Sequence, residues 1–330
     1  MNICLQKQYN YDIIYAYLGG TEIKLTNNLY FYVHFYLKGG NNIEEKYYKV
    51  WITLIKDLGI KKYINLLKKF KTNKNIFNAT KQDLIQVDLI SEKLIDKILN
   101  SEIRSQAKKN LQFMQKNNID IISISDEEYP YILREIYSPP ICLYIRGNKD
   151  ALRGNNISII GCRDCSEYGK RIAQKLAYDL SKENINIISG LAKGIDEYSH
   201  LGAVYAKGKT IAVLGSGVDV IYPKENKYLV EKILEGEGAI ISEFPLGTKP
   251  EKMNFPLRNR IISGLSTKVV VVEAKMKSGT IITVDFALEQ GRDVYVVPGN
   301  IDAPNSEGTN DLIKQGANVI TSFKDIIEDA

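Results

Sequence analysis

From residue 157 onward the chain alternates between two kinds of segment. Short, almost wholly apolar runs read ISIIG (157–161), INIIS (185–189), TIAVLG (210–215), GAIISE (238–243), KVVVVEA (268–274) and DVYVVPG (293–299). Between them lie amphipathic stretches such as EYGKRIAQKLAYDLSKE and GTIITVDFALEQ. An apolar run without a polar alternate face must be covered on both sides, and helices between successive runs supply that cover. The pattern predicts a doubly wound, mostly parallel sheet in an α/β domain. IDIISIS (119–125) and ICLYIRGN (141–148) read as two further strands, joined by a turn and a short helix in DEEYPYILREI. Ligands of such sheets bind beyond the carboxyl ends of the strands. Function is therefore expected in the residues that follow each run.

Ahead of the sheet, residues 46–115 show helical spacing. YYKVWITLIKDLGIKKYINLLKKF places apolar residues three and four apart and breaks at Gly59. TKQDLIQVDLISEKLIDKIL repeats the pattern from Thr80, which suits an N-cap. A helix–Gly turn–helix with lysines has the form of a degenerate helix-hairpin-helix, whose turns present backbone amides to DNA phosphates. An ordinary small helical bundle fits the spacing equally. Residues 1–45 are rich in Tyr and Asn with weak periodicity, and no element or role is read for them.

Composition narrows the class. The 330 residues, 44% of them hydrophobic, suffice for two domains with real cores. No apolar run reaches the roughly 18 residues of a membrane span. No basic-then-apolar leader opens the sequence, so no signal peptide is expected. Four cysteines make no disulfide framework, and a cytoplasmic protein is expected. The net charge of +5 is unevenly spread: residues 51–100 hold ten lysines against five acids. That excess suits either a solvated helix face or a nucleic-acid footprint.

The turns after the strands carry the chemistry. In GCRDCSEYGKR (161–171), Gly161 permits a tight turn, Arg163 projects from it, and Ser166 is placed to cap the next helix. In SGLAKGIDEYSHLGA (189–203), Gly190 and Gly194 bracket Lys193 at a strand-to-helix turn, where free N–H groups face an anion. Asp196 is expected to steady that helix N-terminus, with His200 packed beneath it. EFPLGTKPEKMNFPLRNRIISGLS (243–266) ends a proline-containing loop in Arg258, Asn259 and Arg260, read as the start of a helix. These residues suit a phosphate or a base edge; alternatively the arginines pair with acids such as Glu273. Ser278, Gly279 and Thr280 open a further helix and a further anion-ready turn.

Other chemistries fit less well. VLGSGVDVIYP has Gly215 and Gly217 but Val220 where a dinucleotide fingerprint has its third glycine. Cys162 and Cys165 form one C-x-x-C; a zinc site would require Cys4, Cys142 or a histidine, His34 or His200, to converge on it. No cofactor and no metal are expected.

Taken together, Gly161-x-Arg163 with Tyr168-Gly169, SGLAKGID, VLGSGVDVIYP, SEFPLGTKP, NFPLRNRIISGLS, VVVVEAKMKSGTIITVDFALEQGRDVYVVPGNI and GTNDLIKQGA resemble the DprA/Smf family, the DNA-processing proteins of bacterial natural transformation. YPYILREIYSPPICLYIRGN resembles the family's entry into its core, and the likeness runs over roughly 125–320. It implies an extended Rossmann-like domain over 116–330 that binds single-stranded DNA, forms a homodimer and helps load the RecA recombinase. It also implies a small SAM or helix-hairpin-helix-like domain over 46–115. The residues it points to as DNA contacts are Gly161, Arg163, Ser166, Lys170, Ser189, Gly190, Lys193, Gly194, Arg258, Asn259, Arg260, Ser278, Gly279 and Thr280, with Arg163 and Lys193 central. The sequence departs from the family in Cys162, where a serine is usual. It also ends soon after the core, so the winged helix that many members carry is expected to be absent.

The alternative is an enzyme. Phosphoribohydrolases of the lysine-decarboxylase-like family share this kind of fold and carry G-G-x-G-T-x-x-E at a similar turn. Here that turn reads Lys277-Ser278-Gly279-Thr280-Ile281-Ile282-Thr283, with Thr283 in place of the catalytic glutamate. No catalytic residue is expected, and a non-enzymatic binding protein is the reading taken.

Overall fold

A computed structural model describes strand backbones at Leu5–Gln6, Ile13–Leu18 and Thr21–Thr26, and residues 43–328 in full. The first three strands, β1 to β3, form an antiparallel meander in which Ile13 pairs with Thr26 and Leu18 with Thr21. The weak periodicity before residue 45 gave no sign of it.

Residues 43–116 are helical, as α1 (Ile43–Thr53), α2 (Ile60–Phe70), α3 (Asn73–Asn78), α4 (Lys81–Ile85), α5 (Glu92–Leu99) and α6 (Ser101–Lys116). Side-chain caps start several of them. Thr72 accepts from Asn75 N, and Asn100 from Glu102 N and Ile103 N. Thr80 forms a reciprocal capping box with Asp83, satisfying two donors at once. The continuous helical pattern expected after Thr80 is in fact two helices, because the chain bends at 86–91 with Leu89 in the left-handed region at φ 68°.

The sheet domain runs β4 (Ile119–Ser123), α7 (Tyr131–Arg134), β5 (Cys142–Gly147), β6 (Asn156–Ile160), α8 (Glu167–Lys182), β7 (Asn186–Ser189), α9 (Ile195–Tyr205), β8 (Thr210–Val213), α10 (Lys227–Glu235), β9 (Ala239–Ser242), α11 (Asn254–Gly264), β10 (Lys268–Val271), α12 (Gly279–Glu289), β11 (Asp293–Val296), α13 (Glu307–Lys314), β12 (Asn318–Val319) and α14 (Lys324–Ile327). Its strands form one sheet in the order β12-β11-β10-β6-β7-β8-β9-β5-β4. β4 and β5 are antiparallel additions at one edge, and the remaining pairings are parallel. The chain winds outward from β6 through β7, β8 and β9, then returns to place β10 on the other side of β6. β6 and β10 therefore flank the point where the winding reverses.

Burial on both faces follows from the strands' composition. In β10, Val269 and Val271 enter the core on one face while Val270 and the following Val272 enter the core on the other. β11 divides the same way, with Val294 and Val296 opposite Tyr295 and Val297. The first of these cores continues into the helices, where Trp51, Tyr63 and Ile76 are fully buried. α1 joins the two parts directly. Lys49 Nζ meets Asp126 Oδ2 at 2.6 Å, both buried, and the Thr53 and Tyr144 hydroxyls lie 2.6 Å apart.

Candidate functional site

A cleft of about 760 Å³ opens where the winding reverses, beyond the carboxyl ends of β6, β7 and β10. Four chain segments line it: Gly161–Asp164 after β6, Ala192 and Asp196 after β7, Phe255, Pro256, Arg258 and Asn259 of α11, and Lys275 with Ser278–Thr280 after β10. Tyr222, Pro250 and Lys252 also line it. Of the residues singled out in the sequence, the fold gathers Gly161, Arg163, Arg258, Asn259, Ser278, Gly279 and Thr280 here.

Its floor is a buried ionic network. Arg258 is only 5% exposed, and its Nη1 donates to Gly190 O at 2.6 Å and to Val213 O. Its Nε donates to Asn259 Oδ1 at 3.1 Å. Asp196, also buried, accepts from Gly190 N at 3.2 Å and Ala192 N at 3.3 Å. Burial lowers the Arg258 pKa to about 10, against the support of Asp196 and reinforced by the nearby Arg163. Burial also raises the Asp196 carboxyl above its ordinary value, opposed by Arg258 and by the backbone amides. The arginine remains charged at neutral pH, and its Nη1 and Nε donors join β7, β8 and α11.

The glycines of the 189–196 turn serve this packing. A Cβ on Gly190 would stand 2.5 Å from Arg258 Nη1. Gly194 has φ +80°, and a Cβ there would lie 2.3 Å from Arg163 O. Both admit a neighbouring group of the protein itself, which is a different reason from the anion approach inferred from sequence. Gly279 is the open one: nothing lies within 4 Å of where its Cβ would be, and it faces the cleft.

Above the floor the walls are cationic and aromatic. Arg163 is exposed, with its guanidinium 5.5 Å from the Phe255 ring centroid. The Phe255 and Tyr222 rings are 5.7 Å apart and tilted by 45°. Exposed Lys252 and Lys275 line the cleft from two different segments. The Ser278 hydroxyl is buried without a hydrogen-bond partner. This combination of exposed cations with two rings suits a polyanion that carries flat, stackable groups.

The other singled-out residues lie elsewhere. Ser166 caps α8, and its N–H and hydroxyl are both committed to the buried carboxylate of Glu273. That internal carboxylate already occupies the α8 N-terminus. Lys170 pairs with Glu167, one turn along the same helix. Ser189 is buried and donates to Ile159 O at 2.7 Å. Lys193 is exposed, beside the cleft rather than lining it, and its Nζ meets Glu225 Oε1 at 2.7 Å. Arg260 pairs with Glu243, not with Glu273. The Arg258–Arg260 segment is also not a helix start. α11 begins at Asn254, so these residues sit in its second turn.

Lys252, Phe255, Tyr222 and Lys275 were not singled out from sequence. Lys275 was accessible to that reasoning, since it follows a strand's carboxyl end. Lys252 precedes α11 and Phe255 lies in its first turn, within a stretch whose prolines read as a loop and where only the arginines drew notice. His200, on the inner face of α9, is fully buried, with Nδ1 2.7 Å from Thr210 Oγ1, and it does not line the cleft. Among the described residues no group of three or more His, Cys, Asp or Glu side chains is placed to hold a metal, and no helix is long and apolar enough to cross a membrane. Cys4 and His34 lie outside the described residues.

Residues 120–330 match the family model described as DNA recombination-mediator protein A. Over 205 residues the chain is 45% identical to DNA processing protein DprA of Streptococcus pneumoniae, covering 62% of this chain and 72% of that one. Over 253 residues it is 40% identical to DNA processing protein DprA of Bacillus subtilis, covering 73% and 85%. The X-ray structure of DprA from Streptococcus pneumoniae superposes with a TM-score of 0.69 at 35% identity, covering 86% of this chain and 97% of that one. A structure concerning the single-stranded DNA binding mode of DNA processing protein A from Helicobacter pylori superposes at 0.58 with 29% identity, covering 64% and 94%.

Proposed function

Since the chain belongs to the DNA recombination-mediator protein A family, we propose that it binds single-stranded DNA, with little sequence preference, in the cleft between β6 and β10. The observation that carries this reading is the set of walls: Arg163, Lys252 and Lys275 around the Phe255 and Tyr222 rings. Cations follow the phosphates, and a ring offers a face to any unpaired base. Paired bases present no such face. Few polar side chains here have the geometry to read base edges, which accounts for tolerance of sequence. The Helicobacter pylori relative's single-stranded DNA binding mode supports the same assignment.

The finer roles rest on the family. We assign the DNA contact to residues 116–330, and leave 46–115 as a helical unit and 1–45 without a role. The protein acts in the cytoplasm as a homodimer that hands its strand to the RecA recombinase. β12 already extends one sheet edge by pairing with β11, leaving Asn318 and Val319 exposed there. The cleft is a binding site without turnover. Thr283, its hydroxyl 3.3 Å from Gly279 O, stands where the related hydrolases require a carboxylate.

The test is fluorescence anisotropy with a labelled oligothymidylate and the matching duplex, alongside incubation with nucleoside monophosphates. Tighter binding of the single strand, falling steeply with salt, and no release of free base are expected. Equal affinity for both DNAs in the cleft, or base release above buffer, would overturn the reading.

A further inference from the structure

The helical unit contains an internal repeat that the cleft does not use. α2 opens at Ile60 and α5 opens 32 residues later at Glu92. The turns before them bend at nearly the same angle in equivalent positions, Asp57 at φ 69° and Leu89 at φ 68°. Ile55 N bonds Ile52 O and Leu58 N bonds Ile55 O in the first; Val87 N bonds Leu84 O and Ile90 N bonds Val87 O in the second. Ile52, Ile55, Tyr63 and Leu66 are buried, and so are their counterparts Leu84, Val87, Ile95 and Ile98. The copies brace each other: Lys97 of α5 pairs with Asp57, while Asn65, its counterpart in α2, donates to Asp88 O at 3.1 Å.

These matching backbones carry opposite surfaces. The first tip bears Lys56, Lys61 and Lys62, and its one acid, Asp57, is neutralised by Lys97. The second bears Asp88 and Glu92 against Lys93. Because both charge patterns satisfy the same fold, packing does not require the lysines of the first. That tip is also open, with nothing within 4 Å of where a Cβ on Gly59 would stand. Tyr137, 85% exposed, reaches it from the segment after α7, and its hydroxyl accepts from Lys61 Nζ at 3.2 Å. The phenol then keeps its own proton to donate.

We propose that this first hairpin tip, with Lys56, Lys61 and Tyr137, is a second nucleic-acid contact that takes the phosphate backbone of duplex DNA. Ammonium groups and a hydroxyl are phosphate ligands, and the tip gathers both. A duplex presents phosphates outward and hides its bases, which matches that chemistry. If the cleft holds a single strand, as the preceding section proposes, the protein engages both sides of a single-strand–duplex junction; this extension alone rests on that reading.

The experiment compares the full chain with Lys56→Glu/Lys61→Glu, using a blunt 20-base-pair duplex and a short oligothymidylate at several salt concentrations. Duplex affinity is expected to fall about tenfold or more, and the slope of log affinity on log salt to shrink by about two phosphate contacts' worth. Short single-strand binding and the melting temperature are expected to stay unchanged, since both lysines are exposed. Asp88→Lys/Glu92→Lys, which gives the second copy the charge of the first, is expected to raise duplex affinity. Duplex binding that is absent at low salt, or unmoved by the first pair of changes, or lost instead with Arg163→Ala, would overturn the proposal. The short-strand arm reports on the cleft separately.

Discussion

At the scale of single residues, exposure separates cations free to meet a ligand from cations that hold the fold. Arg163 is exposed at the cleft wall, while buried Arg258 turns its Nη1 and Nε donors to Gly190 O, Val213 O and Asn259. Arg163→Ala is expected to weaken single-strand binding roughly tenfold or more, the worth of one charge-assisted phosphate contact, with little change in thermal stability. Arg163→Lys recovers only part if the contact is bidentate. Lys193→Ala is expected to cost less than Arg163→Ala, because Glu225 already offsets its charge. Anisotropy titrations of the three variants check this, and an equal or larger loss for Lys193 would reverse the ranking. Gly190→Ala acts differently. Its Cβ would meet the Arg258 guanidinium, so about 1–3 kcal/mol of stability is expected to be lost, read as a lowered denaturation midpoint. Sequence showed which residues stood at strand ends. It did not show that Arg258 and Gly190 fill each other's space, because that contact joins positions far apart in the chain.

At the scale of elements, the strands were legible because burial on both faces leaves an uninterrupted apolar run. α11 was misjudged because KPEKMNFP has the composition of a loop, while its helix begins at Asn254 with Pro256 in the first turn, where a missing N–H costs nothing. α9 offers a test that titrates. The Thr210 hydroxyl donates to Ile187 O at 2.7 Å, so it accepts from His200 Nδ1–H, and His200 Nε2 meets no partner. Burial lowers the His200 pKa from 6.5 to about 3. Below pH 6.5 the unfolded chain therefore takes up a proton that the folded chain refuses. Stability held above that pH is lost as pH falls, at about 1.4 kcal/mol per pH unit. Between pH 7 and pH 5 the protein should lose roughly 2 kcal/mol more than His200→Gln in urea unfolding. Equal losses would mean that the histidine charges in place.

At the scale of the whole molecule, the helical unit and the sheet share one apolar core, and Lys49 and Asp126 join them in a buried pair. The sequence suggested a change of pattern near residue 116 but could not show that α1 packs against β4, a contact between distant segments. Lys49→Ala strands the Asp126 charge, and a loss of about 3–5 kcal/mol is expected. Unfolding followed both by the fluorescence of Trp51, in α1, and by far-ultraviolet circular dichroism should give coincident transitions. Separate transitions would show two independent units. The placement of a single strand at the reversal point between β6 and β10 is tested most directly by photocrosslinking. An oligonucleotide carrying 5-iododeoxyuridine is bound, irradiated, and the attached peptides are mapped by mass spectrometry. Crosslinks are expected at Phe255 and Tyr222, and they should vanish with Arg163→Ala at limiting protein. Crosslinks confined to residues outside the cleft would contradict it.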